Sequence, residues 1–375
     1  MSPNPINVTF YSVVPSPYQR DLFYALSSCS DIRLQVHYLE PASPDSPWPE
    51  KPLQPYEHIL PGTYLSWGLS RFHVNWHLPS LRQTDVVVLN GYQNSTAQLL
   101  LHLQAKRIPH VFWGEKMVGA SPGLKGQLQK GFAQALQQCW AITAIGSQAE
   151  QDYRQRYPDK FIFNIPYYCD LSQFMVDRPQ RPREPITILF CGQMIARKGV
   201  DLLLHAFERI LQAGLKARLL LVGREAELPQ MMQAVSAETR QQIEYAGFQA
   251  PDDLPHFFRQ ADLFVLPSRY DGWGVVVNQA VGAGLPIVCS DAVGAAYDLV
   301  EAGVNGEVFT AGDAEALYQV LMPYLQDPNR LKAASQASLA KANEWSPSVG
   351  ADRWLKVLTK LTDQAQIQRK KKCSS

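Results

Sequence analysis

The chain has 375 residues, 46% of them hydrophobic and 18% charged, and its formal net charge is +1. This length exceeds what one ordinary hydrophobic core fills, so a soluble protein of two domains is expected, and the charge balance gives no reason to expect a nucleic-acid partner. The six cysteines are scattered without a C-x-x-C pair, no apolar run reaches the roughly 20 residues of a membrane span, and the amino terminus lacks a signal-peptide pattern. We therefore expect a cytoplasmic protein.

Short apolar runs alternate with helical patterns along the first half of the chain. Apolar runs without polar alternation are typical of parallel strands that are covered on both faces, and strand–helix alternation indicates the α/β class. Strands are predicted at residues 6–12, 32–39, 85–90, 110–115, 141–145 and 161–165, and helices at 18–27, 95–107, 126–139 and 147–157. Residues 41–79, rich in Pro, Trp, Tyr and His, are predicted to form an irregular surface insertion.

A proline-rich, charged stretch at residues 178–185 predicts a linker. The same strand–helix rhythm then restarts, with strands at 186–192, 217–223, 243–246, 262–267, 286–290 and 305–310. Helices are predicted between them and at 313–326, 328–344 and 346–367. We therefore predict two α/β domains, at 1–180 and 181–345, followed by a carboxyl-terminal helix at 346–375.

Two segments of the second half suit an anionic ligand. Arg197 and Lys198 follow a predicted strand and precede a helix, where positive charge opposes the helix dipole unless an anion lies nearby. Later, an acidic residue and a glycine turn, Asp271-Gly272-Trp273-Gly274, open another helix, which is a common seat for phosphate. The sequence contains neither a P-loop nor a G-x-G-x-x-G fingerprint. It also lacks D-x-D, so we expect cations rather than a metal to neutralise a diphosphate.

Asp271 and Gln279 lie eight residues apart around this turn. Asp271 can accept hydrogen bonds from sugar hydroxyls or act as an N-cap-like residue, and Gln279 can contact a ribose or be an ordinary, partly exposed helix residue. Spacing alone does not separate these readings.

The stretch from Tyr270 to Pro286 resembles the signature of the family 4 glycosyltransferases, in which an acidic residue is followed after seven residues by a glutamate. The resemblance extends over nearly the whole second half and, more loosely, into the first. It rests on Gly192, Arg197-Lys198-Gly199-Val200-Asp201, Leu221-Val222-Gly223, Pro267-Ser268 and Gly303-Val304-Asn305-Gly306, with Pro17-Tyr18-Gln19 and Trp113-Gly114-Glu115 in the first half. It implies the GT-B fold, in which two Rossmann-like domains face each other across a cleft. Residues 1–180 are then the acceptor-binding domain, residues 181–345 are the nucleotide-sugar-binding domain, and the helix at 346–375 returns to the first domain.

The resemblance also implies retaining, metal-independent transfer of a sugar from a nucleoside diphosphate sugar to a saccharide or lipid-linked acceptor, as in polysaccharide biosynthesis. Lys198 is then the diphosphate ligand and Asp271 the donor-sugar contact, and these two are the expected catalytic residues. The other implied donor-binding residues are Arg197, Gly272, Trp273, Gly274, Val275 and Gln279.

Two positions depart from the family pattern. The second glutamate is Gln279, and the arginine often found after Gly192 is Gln193. These departures leave two alternatives open: a GT-B nucleotide-sugar epimerase, or a donor-binding but catalytically idle subunit of a polysaccharide assembly system.

In the first half, Pro17 follows the first strand and Glu115 follows a later one, so both are candidates for acceptor or sugar contacts. Residues 123–138 combine lysines with apolar residues at helical spacing. This helix and the basic tail 369–372 could contact a membrane peripherally, although a half-buried helix and a solvated tail are the better explanations of the two patterns.

Overall fold

The computed structural model describes residues 4–42, 48–67, 70–117, 119, 122–175 and 184–373. The chain divides into two compact units. Unit 1 comprises Met1–Tyr168 and Pro347–Ser375, and unit 2 comprises Cys169–Ser346. The units thus meet in sequence at residue 168 rather than at the predicted 180. The reason is packing, since the Phe174 ring contacts that of Phe258, deep in unit 2, at 5.3 Å. The predicted linker 178–185 lies mostly outside the described residues.

Unit 1 is built on a seven-stranded parallel sheet in the order β3-β2-β1-β6-β7-β8-β9, beside an antiparallel pair, β4 and β5. The strands are β1 (Ile6–Ser12), β2 (Ile32–Tyr38), β3 (Glu57–Ile59), β4 (Gly62–Trp67), β5 (Ser70–Asn75), β6 (Val86–Leu89), β7 (His110–Gly114), β8 (Ala141–Ala144) and β9 (Phe161–Asn164). Four helices connect them: α1 (Pro17–Ser27), α2 (Ser95–Leu103), α3 (Gly123–Gln134) and α4 (Ser147–Arg156). All six predicted strands and all four helices are confirmed to within a few residues.

The insertion predicted to be irregular is more ordered than its composition suggests. It supplies β3 and the β4–β5 hairpin. Strand β3 is attached by a buried carboxylate, because Glu57 accepts hydrogen bonds from the Tyr38 hydroxyl at 2.6 Å and from the Arg20 guanidinium at 2.6 Å. That prediction was wrong because these partners lie 19 and 37 residues away in sequence, beyond the reach of a local pattern.

Unit 2 has a six-stranded parallel sheet in the order β12-β11-β10-β13-β14-β15. Its strands are β10 (Ile186–Cys191), β11 (Ala217–Val222), β12 (Ile243–Tyr245), β13 (Leu263–Leu266), β14 (Ile287–Ser290) and β15 (Gly306–Phe309). Its helices are α5 (Val200–Gln212), α6 (Leu228–Met232), α7 (Ala237–Arg240), α8 (Leu254–Gln260), α9 (Val276–Gly282), α10 (Ala296–Leu299), α11 (Ala314–Gln326) and α12 (Pro328–Ala342). This is the Rossmann order 3-2-1-4-5-6. The predicted α/β class with two Rossmann-like domains is therefore confirmed.

The last helix, α13 (Pro347–Cys373), belongs to unit 1 and packs on α1 and β1. Its fully buried Trp354 forms edge-to-face contacts with Phe10 of β1 at 5.1 Å and with Trp113 of β7 at 5.6 Å. Burial of such aromatic side chains contributes several kcal/mol, which fixes the helix on the sheet.

Candidate active site

Strands β10 and β13 lie on either side of the reversal in strand order, and they lead to the predicted catalytic residues Lys198 and Asp271. In an open α/β sheet, ligands bind outside the carboxyl ends of the strands at such a reversal. After β10, a single 3-10 turn covers Ala196–Lys198 and α5 begins at Val200. After β13, the chain runs through Ser268 to the glycine turn and α9. Lys198 and Asp271 therefore reach the same edge of the sheet.

The two side chains form a direct ion pair in which Lys198 Nζ donates to Asp271 Oδ2 at 2.5 Å. Both are mostly enclosed, with side-chain exposures of 16% and 13%. Asp271 does not cap α9, whose N-cap is Val275 without any side-chain cap bond, so the helix-capping reading of Asp271 is wrong. Instead, the Asp271 carboxylate is the partner of the Lys198 ammonium.

Close backbone approach explains the glycines around this pair. Gly199 has φ = 72°, and a Cβ there would lie 1.9 Å from the Pro267 carbonyl oxygen, so the Lys198 turn touches the end of β13 directly. Gly274 has φ = 89°, and a Cβ there would lie 3.4 Å from Asp271 Oδ2. A side chain at Gly199 would therefore push apart the two segments that carry the pair, whereas a Cβ at Gly274 would press mainly on Leu266 and Val293, both at 3.1 Å.

The glycine turn rests on the loop after β14. Gly294 N–H donates to the Asp271 carbonyl at 3.0 Å, and Ala295 N–H donates to the Trp273 carbonyl at 2.8 Å. The Trp273 indole is 1% exposed and donates to Asn278 Oδ1 at 2.8 Å. Trp273 thus anchors the turn in the core, and its side chain is not available to a ligand. Because α9 has only seven residues, its dipole adds little, and the side-chain cations matter more.

Gln279 lies in the middle of α9 and is half-buried. Its Oε1 is buried and has no hydrogen-bond partner among the described residues. A buried acceptor without a partner is costly, so the amide suits a ligand hydroxyl or a water better than it suits a solvated helix surface. Gln279 is therefore not an ordinary solvated helix residue, and its contact with a ribose stays a prediction.

Arg197 is exposed, and its guanidinium donates to the Tyr270 carbonyl at 2.9 Å. Sequence reasoning missed the neighbouring contact, in which Arg269 binds both carboxylate oxygens of Asp201 at 2.7 Å. This hydrogen-bonded guanidinium holds the pKa of the Asp201 carboxyl below its usual range, although burial opposes the shift. In the sequence, Asp201 stands out only as the last residue of the motif Arg197-Lys198-Gly199-Val200-Asp201. The signal that could have indicated the contact is the position of Arg269, directly before the signature that begins at Tyr270.

The thiols beneath the site are unreactive. Burial raises the pKa of Cys191 to about 12 even though Lys198 opposes the shift, and burial also raises the pKa of Cys289. Neither is a thiolate near neutral pH, so neither is a candidate nucleophile.

Unit 1 places Pro17 at the first position of α1, directly beyond β1, and Glu115 directly beyond β7. Glu115 is exposed, and its carbonyl accepts from the Tyr153 hydroxyl at 2.6 Å. Both residues thus lie at the carboxyl edge of the unit 1 sheet, as predicted. Sequence reasoning missed a polar network at the same edge, where Gln19 links Ser12 at 2.7 Å and Asn90 at 2.8 Å.

Among the described residues, no group of three His, Cys, Asp or Glu side chains is arranged to hold a metal ion. Within the same part of the chain, no helix combines the length and hydropathy that crossing a bilayer requires.

Residues 173–341, nearly all of unit 2, match the model of the glycosyl transferases group 1 family. Unit 2 belongs to the glycosyl transferases group 1 family. Among curated relatives, the chain resembles O-antigen chain mannosyltransferase B of Escherichia coli, with 31% identity over 161 residues. The match covers 42% of each chain, so the chain spans less than half the length of that relative.

Solved structures of similar fold cover nearly the whole chain. Sucrose-phosphate synthase from Thermosynechococcus elongatus matches 96% of this chain and 100% of its own, with a TM-score of 0.73 and 16% identity. Anabaena HepE in complex with UDP and glucose matches 95% and 100%, with a TM-score of 0.69 and 15% identity. At these identities the likeness establishes the fold alone, and it confirms the predicted GT-B class.

Proposed function

We propose that the protein is a retaining glycosyltransferase that transfers a sugar from a nucleoside diphosphate sugar to a saccharide or lipid-linked acceptor without a metal. The observation that carries the proposal is the Lys198–Asp271 pair, at the reversal of strand order in a glycosyl transferases group 1 unit. The mannosyltransferase name of one relative and the UDP and glucose in one similar structure support a nucleotide-sugar donor.

The proposed chemistry uses the pair in a charge exchange. The negative diphosphate draws the Lys198 ammonium away from Asp271, and the freed carboxylate accepts hydrogen bonds from hydroxyls of the donor sugar. The bond between the anomeric carbon and the leaving phosphate oxygen breaks, while the acceptor oxygen bonds to the same face of that carbon. The acceptor's proton passes to the leaving phosphate. Lys198, assisted by Arg197, stabilises the charge that develops on the diphosphate, which is where electrostatic catalysis is most effective.

The remaining donor contacts follow from the same placement. The backbone of Gly272, Trp273, Gly274 and Val275 borders the sugar and phosphate, and the unpartnered Oε1 of Gln279 accepts from a ribose hydroxyl. An amide accepts such a bond without charge, so Gln279 is compatible with turnover.

Release of nucleoside diphosphate tests the proposal. Purified protein is incubated with a panel that includes GDP-mannose and UDP-glucose, with and without mono- and oligosaccharide or lipid-linked acceptors. We expect release that depends on acceptor, unchanged by EDTA, with retained anomeric configuration in the product by NMR. Conversion of the donor sugar without acceptor indicates an epimerase. Donor binding without either change indicates an idle subunit, and both results contradict the proposal.

We also propose a cytoplasmic location with peripheral membrane contact. All five described cysteines are free, which supports a reducing compartment. The contact surface consists of β4, β5, α2 and α3, which adjoin one another: Phe72 of β5 stacks on Phe132 of α3 at 5.5 Å, and Gln98 of α2 donates to the Phe132 carbonyl at 3.2 Å. Four leucines on these elements are well exposed: Leu65, Leu99, Leu103 and Leu128.

The charge of this region suits an anionic bilayer. The four elements contain Arg71, Lys125 and Lys130 and no Asp or Glu, whereas the whole chain has a net charge of only +1. Basic residues among exposed leucines are typical of surfaces that lie on anionic lipid. Sedimentation with phosphatidylglycerol-containing vesicles tests the contact. The Leu99→Gln/Leu103→Gln/Leu128→Gln variant should bind less, and Ile367→Gln, exposed on α13, is the control. Binding lost only on removal of the basic tail 369–375 would contradict this surface.

A further inference from the structure

The turn that carries Lys198 is short and is held from outside. It is one 3-10 turn, Ala196–Lys198, with internal bonds from Lys198 N–H to the Ile195 carbonyl and from Gly199 N–H to the Ala196 carbonyl. Such short turns have little stability of their own. A lysine on a four-carbon stem also has several rotamers, so its ammonium needs a fixed base in order to meet a diphosphate reproducibly.

We propose that Arg269 and Asp201 form a positioning clamp that holds Lys198 in register with Asp271 for the diphosphate. This inference rests on the proposed glycosyltransferase function. Neither clamp residue is assigned a contact with substrate. Both act through the turn between β10 and α5.

Arg269 spans the two segments with its whole guanidinium. Nη1 donates to Asp201 Oδ1 at 2.7 Å and to the Ala196 carbonyl at 2.5 Å, and Nη2 donates to Asp201 Oδ2 at 2.7 Å. One side chain therefore grips the beginning of the turn and the first turn of α5 at once. Only the planar fork of arginine can make these bonds together, since a lysine offers a single nitrogen.

Further bonds set the register. Arg269 N–H donates to the Arg197 carbonyl at 2.8 Å, and the Arg197 guanidinium donates back to the Tyr270 carbonyl at 2.9 Å. The two segments run in the same direction, and the next pair along them is Lys198 with Asp271. Arg269 thus lies two residues before Asp271 and fixes the turn one step before Lys198.

The exposure of the clamp argues for positioning rather than stability. The Arg269 and Asp201 side chains are 37% and 40% exposed. Ion pairs at that exposure typically contribute little to stability, because solvent screens them. Loss of the clamp should leave the fold intact, whereas a displacement of about 1 Å at a reacting group can cost about 100-fold in rate.

The first experiment compares Arg269→Gln, Asp201→Asn and the double variant with wild type in the acceptor-dependent assay. We expect kcat to fall about 10- to 100-fold in each, with a smaller change in the donor KM and an unchanged Tm. The double variant should be no worse than the poorer single one, and Arg269→Lys should not restore activity. The control is Arg218→Gln, which removes a somewhat more exposed pair with Glu244 on β11 and β12. Losses within 2-fold of wild type, or additive losses, would overturn the clamp.

The second experiment uses inorganic pyrophosphate as the probe and calorimetric Kd as the readout. Arg269→Gln should weaken binding about 10-fold in the wild-type background and by less than 2-fold in the Lys198→Ala background, since the clamp acts only through Lys198. Equal weakening in both backgrounds means that Arg269 contacts the anion itself and overturns the proposal, as does a wild-type protein that does not bind pyrophosphate. The binding measurement needs no donor sugar, so it can support the clamp even if the transferase assay shows no turnover. Failure of the clamp proposal and failure of the proposed function are therefore distinguishable.

Discussion

Lys198 and Asp271 are 73 residues apart in the sequence and 2.5 Å apart in the structure. Each follows one of the two strands at which the order of the unit 2 sheet reverses. The cation and the anion neutralise each other, and a ligand that carries both negative charge and hydroxyl groups offers a partner to each of them. A nucleoside diphosphate sugar has both.

Removal of the ammonium should abolish measurable donor turnover. Lys198→Ala takes away the charge that stabilises the leaving diphosphate, and the loss of one such interaction costs about 100- to 1,000-fold in kcat. Lys198→Arg keeps the charge and should retain partial activity. Nucleoside diphosphate release in the presence of acceptor is the measurement. An unchanged rate in Lys198→Ala would remove Lys198 from the diphosphate site.

Gln279→Glu should keep or raise activity. The buried Oε1 has no partner among the described residues, and a carboxylate preserves an acceptor at the same place. Gln279→Leu, of similar length but without an acceptor, should raise the donor KM several-fold. Steady-state kinetics with varied donor distinguishes them. Loss of turnover in Gln279→Glu with donor binding preserved would show that the assignment of Gln279 is wrong.

Gly199→Ala should damage the site and the fold together. Its φ of 72° disfavours a side chain, and the new Cβ would lie 1.9 Å from the Pro267 carbonyl oxygen. We expect a loss of at least about 3 kcal/mol in unfolding free energy, by urea titration, together with loss of activity. The matched control is Gly214→Ala, at φ = 81° with open space around its Cβ, which should cost only about 1 kcal/mol. Equal losses of unfolding free energy in the two variants would mean that the backbone at Pro267 moves aside at little energetic cost.

Stability should fall on mild acidification because of two histidines in unit 1. Burial lowers the pKa of His110 and of His37 to about 4, and the neighbouring His58 also lowers that of His37. The unfolded chain therefore binds more protons than the native one between pH 6.5 and 4, and stability is lost as pH falls through that window. Each pKa unit corresponds to about 1.4 kcal/mol, so each histidine accounts for roughly 3 kcal/mol at most.

His110→Leu and His37→Phe should each flatten this pH dependence, whatever they do to stability at pH 7. Exposed His102, replaced by Gln, is the control and should leave the slope unchanged. Urea unfolding at several pH values measures the effect. Slopes in the two buried variants that match wild type would contradict the assignment.

The terminal helix should be integral to unit 1. Trp354→Ala removes a fully buried indole that contacts Phe10 and Trp113, and should lower unfolding free energy by about 3–5 kcal/mol. Trp76→Ala is the control, because the Trp76 side chain is 68% exposed and its loss should cost little. Similar, small effects of both substitutions would show that α13 is only loosely attached.

The sequence alone determined the α/β class, nearly every strand and helix, and the family signature of unit 2. Apolar periodicity and glycine turns are local properties, so residues such as Lys198, Asp271 and Gly274 could be selected without coordinates. Their grouping at one sheet edge also followed from a general rule about parallel strands. The boundary at residue 168 and the order within the insertion did not, because each depends on packing partners far away in sequence.

Only the tertiary structure decided what these side chains do to one another. Lys198 pairs with Asp271, and Arg269 reaches Asp201 and Ala196, across segments about 70 residues apart in the sequence. The burial of the Gln279 acceptor depends on the helices that pack around it. A sequence gives the chemical type of each group and its place along one element. Distance and desolvation, which determine how strongly charges interact, arise only when two elements are placed side by side.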